Sequence, residues 1–179
     1  MPSIEAIIEK LARAQESFVR AADAIPAALW KTGPENGAWS AAELVAHLII
    51  VERFILGTAD KMMQKPALPT PLYKRLHIPL AVVEARLLRR KTPIPINPEL
   101  VREKEAMLGE LREVRGRTLA FLEGTKNRDL SACGWRHPFL GRLNFYQWFE
   151  FVGSHEIRHM KQMQEIARNL PKPVAISQK

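Results

Sequence analysis

The feature that most constrains this chain is a helical repeat of apolar residues in four long segments. In the first, residues 3–24, apolar side chains recur every three or four positions and would share one helix face, at Ile4, Ile7, Ile8, Leu11, Ala14, Phe18 and Ala21. Comparable stripes predict helices over about residues 40–65, 98–123 and 144–169. No segment alternates convincingly with the period of two that is typical of strands. We therefore predict an all-α four-helix bundle with little or no sheet.

The boundaries of the predicted helices carry capping signals. Ser40 followed by Glu43 is a capping box, in which the two side chains satisfy backbone amides at the start of the second helix. Asn-Pro-Glu at 97–99 predicts the start of the third helix, and residues 144–147 predict the cap of the fourth. The stretch 125–143 between them is expected to be a loop.

The connection between the second and third helices bears on the topology. It covers residues 66–97, is rich in proline, and has one short helix expected from Leu80 to Arg90. Such a crossover is long enough to span the bundle, so the second and third helices could run parallel in up-down-down-up order. Periodicity alone leaves that order open. The length suits a single domain over residues 1–179.

Charge and cysteine content exclude several classes of function. The net charge is +8, but the basic residues are scattered along helical faces, so nucleic acid is disfavoured as a partner. The only cysteine, Cys133, cannot form an internal disulfide, which fits a reducing compartment. The longest apolar run, residues 44–51, is too short to span a membrane, and the N-terminus has no apolar signal segment. We expect a cytoplasmic protein without membrane partners.

Three histidines lie on stripes that should face the core. His155 and His159 are one helical turn apart on the apolar face of the fourth helix, and His47 lies on the apolar stripe of the second. A buried imidazole needs a hydrogen-bond partner or a metal. Three histidine ligands around a divalent ion leave a position for water, which is a catalytic geometry. The alternative, histidines satisfied within an ordinary core, stays open at this point.

Other polar residues are weaker candidates for the site. Glu43 already has a structural role in the capping box, while Glu156 lies about 100° around the helix from His155 and is expected near the site or on the surface. His77, in the Pro-rich connection, is expected to be exposed. His137, before a proline in a turn, is expected to be no ligand and to lie at the opposite end of the bundle from the metal.

The position of the site along the helices predicts its surroundings. If the second and fourth helices are antiparallel, the metal lies nearer the end that holds the 25–39 linker and the 92–98 segment. Trp39 or Trp30 should then stand near its rim. A surplus of aromatic residues at 145–151 favours a homodimer through that helix.

Two stretches resemble the DinB/YfiT-like superfamily of bacterial helical-bundle metalloproteins. One is Trp-Ser-Ala-Ala-Glu-Leu-Val-Ala-His-Leu at 39–48, and the other is Gly-Arg-Leu-Asn at 141–144 leading to His155-Glu156-Ile157-Arg158-His159-Met160-Lys161-Gln162. The family places one His in its second helix and His-x-x-x-His in its fourth, often with Gln three residues later, which Gln162 matches. The chain departs from the family's His-Arg-Gly-Gln by having Met160 and Lys161 there.

The resemblance implies an up-down-down-up bundle that binds one divalent ion, zinc or nickel, through His47, His155 and His159. It implies an enzyme that activates water or a low-molecular-weight thiol for a small-molecule substrate, as a metal-dependent hydrolase or thiol S-transferase. Gln162, Glu43 or Glu156 could support the ligands. Because one fold hosts several functions, a non-catalytic metal-binding stress-response protein remains the alternative.

Overall fold

The computed structural model describes residues 2–33, 37–65, 83 and 97–170 of the chain. These residues form four long helices and one hairpin: α1 (Ile4–Asp23), α2 (Ala41–Met63), α3 (Lys104–Glu123), β1 (Gly134–His137), β2 (Gly141–Asn144) and α4 (Phe145–Asn169). Short 3-10 turns cover Ala27–Leu29 and Pro98–Leu100. The short helix predicted from Leu80 to Arg90 and the Pro-rich crossover lie outside the described residues, apart from Val83.

Side-chain caps fix where three of the helices begin. Ser3 accepts a hydrogen bond from the amide of Ala6 at the start of α1. The predicted capping box of α2 is present: the Glu43 amide donates to Ser40 Oγ at 3.2 Å, and the Ser40 amide donates to Glu43 Oε2 at 2.8 Å. Asn144 and Gln147 form the equivalent box at the start of α4. Each such cap stabilises its helix by about 1 kcal/mol.

The start of the third helix differs from the prediction. The side chain of Asn97 does accept a hydrogen bond from the Glu99 amide, but it caps only the 3-10 turn Pro98–Leu100. The chain is then extended at Glu103, and α3 begins at Lys104. Leu100 is 40% exposed, so the 3-10 turn buries little apolar surface against the bundle. Without that packing the turn does not continue into α3.

The stretch predicted to be a loop contains a two-stranded antiparallel hairpin. β1 pairs with β2 so that Trp135 faces Leu143 across the strands, and both side chains are buried. Gly134 allows the close approach, since a Cβ there would lie 2.5 Å from the Leu143 carbonyl oxygen. Gly141 adopts φ +76°, which favours glycine in the turn. The prediction of little or no sheet holds for the described residues, but the prediction of a loop throughout 125–143 was wrong because four-residue strands are too short to show a period.

Two apolar clusters establish the direction of each helix. The first cluster joins the C-terminal part of α1 and of α4 to the N-terminal part of α2 and of α3, for example through Phe18, Met163, Leu44 and Leu111. The second joins the opposite ends, for example through Ile7, Phe149, Ile55 and Leu122, and includes the hairpin residues Trp135 and Leu143. Helices α1 and α4 therefore run opposite to α2 and α3. This is the up-down-down-up order, with α2 and α4 antiparallel.

The aromatic residues of α4 serve the interior of the bundle. Phe145 and Phe149 are fully buried and Phe151 is 7% exposed. Tyr146 is partly buried, and its hydroxyl donates to the Arg128 carbonyl and accepts from the Leu130 amide. These residues pack within one chain, so they no longer argue for a dimer interface. The homodimer stays a prediction without this support.

Candidate metal centre

The capped first turns of α2 hold His47 at a fixed depth in the bundle. Its neighbours Ala46 and Leu48 are buried in the first apolar cluster, and the His47 side chain is 5% exposed. Because the capping box fixes the rotation of α2, the apolar stripe that buries Leu44 also turns His47 inward. The prediction that this imidazole faces the interior is confirmed.

Helix α4 supplies two further imidazoles at the same level. His159 is 7% exposed and His155 is half-buried, and their ring centroids lie 4.5 Å apart in an edge-to-face arrangement. Met163 and Val152, which flank the pair on the same face, belong to the first and second apolar clusters respectively. The three histidines therefore meet where the two clusters adjoin.

The three rings point their Nε2 atoms at one another. His155 Nε2 lies 3.3 Å from His47 Nε2 and 3.1 Å from His159 Nε2. The ligand atoms of all three residues lie within 4.8 Å of one another. Nitrogen ligands about 2.0–2.1 Å from a tetrahedral zinc ion are separated by about 3.3–3.4 Å. The donor set and its spacing therefore fit a divalent ion.

Gln162 determines which nitrogen of His159 is free to bind an ion. Its side-chain oxygen lies 3.1 Å from His159 Nδ1, and because an amide oxygen only accepts, Nδ1 must carry the proton. The lone pair of His159 is then on Nε2, the atom that faces the other histidines. A hydrogen bond of this kind orients metal-binding histidines in proteins generally.

Burial keeps His47 and His155 uncharged and ready for a cation. It lowers the pKa of His47 from its usual value to about 4. For His155, burial lowers the pKa well below the usual value, and positive charge on His159 or His47 would lower it further. Neutral imidazoles offer lone pairs, so this is the protonation state that metal binding requires. His47 Nδ1 is buried without a hydrogen-bond partner among the described residues.

Aromatic rings enclose the cluster on two sides. Trp39, the residue before the α2 cap, lies with its ring centroid 5.0 Å from that of His47 and 6.4 Å from that of His159. On the other side Phe151 stacks on His155 at 5.2 Å. The expectation that Trp39 borders the site is confirmed. Trp30, the other tryptophan that the sequence offered for this position, is fully buried in the first apolar cluster.

The two predicted acidic residues are engaged elsewhere. Glu43 is held in the capping box by Ser40. Glu156 is 1% exposed, and its Oε2 lies 2.9 Å from Nη1 of Arg115. The expectation that Glu156 lies on the surface or supports the ligands is thus replaced by an ion pair in the core. The cause is the position of Glu156 on α4. It lies about 100° around the helix from His155 and therefore faces α3.

Sequence reasoning missed a buried charge cluster on the interior of the bundle. Arg115, 1% exposed, donates two hydrogen bonds to Glu52 at 2.8 and 2.9 Å and one to the Leu11 carbonyl. Burial raises the pKa of Glu156 to about 7, opposed by Arg115 and assisted by Glu52. One feature of the sequence could have indicated this cluster. Arg115 follows Leu111 by one helical turn and therefore lies on the stripe of α3 that faces the core.

The remaining histidines of the chain are His77 and His137. His77 is outside the described residues. His137 lies on β1 of the hairpin and is not among the three residues whose ligand atoms converge. Only the ring of Phe151 separates it from His155, so the expectation that it lies at the opposite end of the bundle from the site was wrong. His137 is also buried rather than set in an open turn, being 7% exposed.

An up-down-down-up bundle with three convergent imidazoles on two antiparallel helices defines a class of candidate metal-binding proteins. Comparison with known sequences identifies the family of the chain. The sequence model of the DinB superfamily matches residues 10–163. The chain belongs to the DinB superfamily.

Two relatives share the sequence or the fold. The chain is 30% identical over 139 residues to the uncharacterized protein YuaE of Bacillus subtilis strain 168, covering 76% of this chain and 82% of YuaE. Its fold is similar to that of YfiT from Bacillus subtilis, described as a probable metal-dependent hydrolase with an unusual four-helix bundle topology. The TM-score is 0.62 at 15% identity, and the match covers 92% of this chain and 86% of YfiT.

Membrane insertion was also tested on the structure. Within the residues it describes, no helix combines the length and the apolar character needed to cross a bilayer.

Proposed function

We propose that His47, His155 and His159 bind one divalent ion, zinc or nickel, and that the protein is a metal-dependent enzyme. The observation that carries this proposal is the convergence of three Nε2 atoms, with Nδ1 of His159 already committed to Gln162. His155 Nε2 faces two other nitrogens but carries at most one proton to donate to them, and the proton of His159 is on Nδ1. Without a cation, the three Nε2 atoms therefore cannot all be paired well. A bound ion would accept all three lone pairs.

The arrangement leaves room for a reacting group. Among the described residues, no fourth His, Cys, Asp or Glu joins the three ligands. Trp39 contacts His47 and His159, whereas the residue His155 is half-buried. An ion held there would lower the pKa of a bound water or thiol towards neutrality. The protein's part is to hold His47 and His155 uncharged, to exclude bulk water with Trp39 and Phe151, and to orient His159 through Gln162.

The reaction class follows from what would occupy the open position. Water would make the protein a hydrolase, in keeping with the description of YfiT, and a low-molecular-weight thiol would make it an S-transferase. Among the described residues, the two acidic candidates for a general base, Glu43 and Glu156, have other partners. Hydrolysis by an ion-bound water still needs a group that delivers a proton to the leaving group, whereas a bound thiolate can attack a carbon centre without one, so we favour the S-transferase.

The test is cobalt substitution of protein purified without a metal-affinity tag. One equivalent of cobalt should bind, and adding 2-mercaptoethanol should produce a sulfur-to-cobalt charge-transfer band. Cobalt binding without that band would favour the alternative, a non-catalytic metal-binding protein with a closed site. Failure of the protein to bind cobalt, zinc or nickel would contradict the proposal altogether.

A further inference from the structure

His137, on β1, is held in one tautomer by the turn of the hairpin. Its Nδ1 accepts hydrogen bonds from the amides of Phe139 and Leu140, both at 3.1 Å. An atom that accepts two amide protons carries none of its own, so the proton of the neutral ring is on Nε2. The two nitrogens of an imidazole point in nearly opposite directions. The Nε2–H group of His137 is therefore directed away from the turn.

The ring of His137 is part of the aromatic wall that reaches the three-histidine cluster. Its centroid lies 4.6 Å from that of Phe151, edge to face, and 5.1 Å from that of Trp148. Phe151 in turn stacks on His155 at 5.2 Å. One phenyl ring thus separates His137 from a proposed metal ligand. Charge on His137 would be close enough to lower the pKa of His155.

The Nε2–H group has no structural task that accounts for it. It makes no hydrogen bond to any described residue, although the side chain is only 7% exposed. The atom is nevertheless not sealed in the core, unlike the indole nitrogen of Trp135. Burial lowers the pKa of His137 to about 4, so the ring stays neutral and keeps this donor at physiological pH. An accessible donor on a rigid, buried ring is suited to bind a ligand.

We infer that His137 is a ligand-binding residue whose Nε2–H donates a hydrogen bond to an oxygen of the small molecule that occupies the three-histidine site. This inference rests on the proposed function, because the other end of that molecule would bind the ion. The favoured ligand carries its metal-binding group, a thiol in our reading, at one end and a carboxylate or carbonyl oxygen at the other. His137 would select for that oxygen and not take part in the chemistry.

The surroundings of His137 indicate the body of such a ligand. Phe139 is 52% exposed, and its ring centroid lies 6.0 Å from that of His137. Phe151 forms the side between His137 and His155. A molecule that spans from the ion to His137 would therefore pass along aromatic surface. An apolar chain or ring between two polar ends matches this path.

Two substitutions of His137 test its Nε2–H donor and its Nδ1 acceptor separately. His137→Asn places an amide oxygen where Nδ1 accepts from the turn but lacks a donor at Nε2. His137→Gln keeps a donor near Nε2 but loses the acceptor for Phe139 and Leu140. The first variant is expected to keep the hairpin and lose ligand selection. The second is expected to be less stable and to retain selection.

The experiment uses the cobalt-loaded protein and unbranched ω-mercapto carboxylates of four to six carbons, with alkanethiols of the same length as controls. The wild type should bind at least one acid about tenfold more tightly than its matched thiol, the ratio expected for one added hydrogen bond to a charged group. His137→Asn should reduce this ratio to about one, whereas chelation of the ion by the acid would survive the substitution. Equal binding of acid and thiol by the wild type, or an unchanged ratio in His137→Asn, would overturn the inference.

A second readout does not require a metal. In the metal-free protein, the ¹⁵N spectrum should show His137 protonated at Nε2, and adding 6-mercaptohexanoate should shift that N–H signal. If cobalt fails to bind but the signal shifts, the proposed function is wrong and the ligand-binding role of His137 stands. If cobalt binds but the His137 signal does not shift and the acids are not selected over the thiols, the metal site stands and the ligand-binding role of His137 is wrong.

Discussion

Two buried polar clusters share helix α4, and adjacent residues belong to different ones. His155 joins the three-histidine cluster, while Glu156 joins Arg115 and Glu52. In the charge cluster the protein supplies the cation, Arg115, and the two carboxylates around it, so this cluster draws on no cation from outside. In the histidine cluster all three residues offer the same kind of atom, a nitrogen lone pair. Such a cluster requires a cation from outside, which is why it is the candidate for function.

Arg115→Leu should produce the largest effect on stability. It would leave Glu52 and Glu156 buried without their cation, and breaking a buried ion pair from one side costs about 3–5 kcal/mol. Urea unfolding measures this loss, with the exposed Arg112→Leu on the same helix as the control. The folded fraction should still bind one metal ion. A loss of metal affinity equal to the loss of stability would remove the distinction between the two clusters.

His155→Ala should affect metal binding most strongly. Its Nε2 is the one that lies close to both other histidines, so its loss is expected to weaken affinity by at least about 100-fold. His137→Ala serves as the matched change outside the cluster and should leave metal content unchanged. Metal analysis after dialysis gives the measurement. Retention of a full equivalent by His155→Ala would disprove the assignment.

Gln162→Ala should have an intermediate effect, because it removes the acceptor that fixes the His159 tautomer. Loss of such a supporting hydrogen bond typically weakens metal affinity by about 10–100-fold. Gln164→Ala, exposed on the same helix, provides the comparison. Competition with a chromophoric chelator would give both affinities. Equal affinities for the two variants would show that Gln162 does not act through His159.

The free energy of unfolding should change with pH in opposite directions for Glu156 and for His47. Of the four predicted effects, this one is the smallest. Since burial raises the pKa of Glu156 to about 7, its contribution is present below pH about 4.5 and is lost as the pH rises through 7. Glu156→Gln should remove that loss and stabilise the metal-free protein by about 1–2 kcal/mol at pH 8, with little change at pH 4.5. For His47, whose pKa is lowered to about 4, stability is instead lost as the pH falls below about 6.5. Unfolding curves of the variant and wild type across this range measure the slopes.

Sequence reasoning predicted the histidine cluster more fully than the charge cluster. His47, His155 and His159 are chemically distinctive and lie on strongly apolar stripes, so the helical period was enough to bring them to one interior. Arg115 and Glu52 are of residue types that usually lie in solvent, and only the contact across helices shows that they neutralise each other. Glu156 could be placed about 100° from His155, but what it faces there depends on where α3 packs.

The sequence by itself determined the four helices, the capping boxes of α2 and α4 and the inward direction of the three histidines, because period and caps are local properties of the chain. The tertiary structure alone decided the parallel course of α2 and α3 and the pairing of Arg115 with two carboxylates, since both depend on contacts between residues far apart in sequence. The hairpin is local in sequence, but its strands are too short to show a period. From the sequence, His137 could likewise be interpreted only as a turn residue. The fold places its ring against Phe151, which stacks on His155 of the histidine cluster.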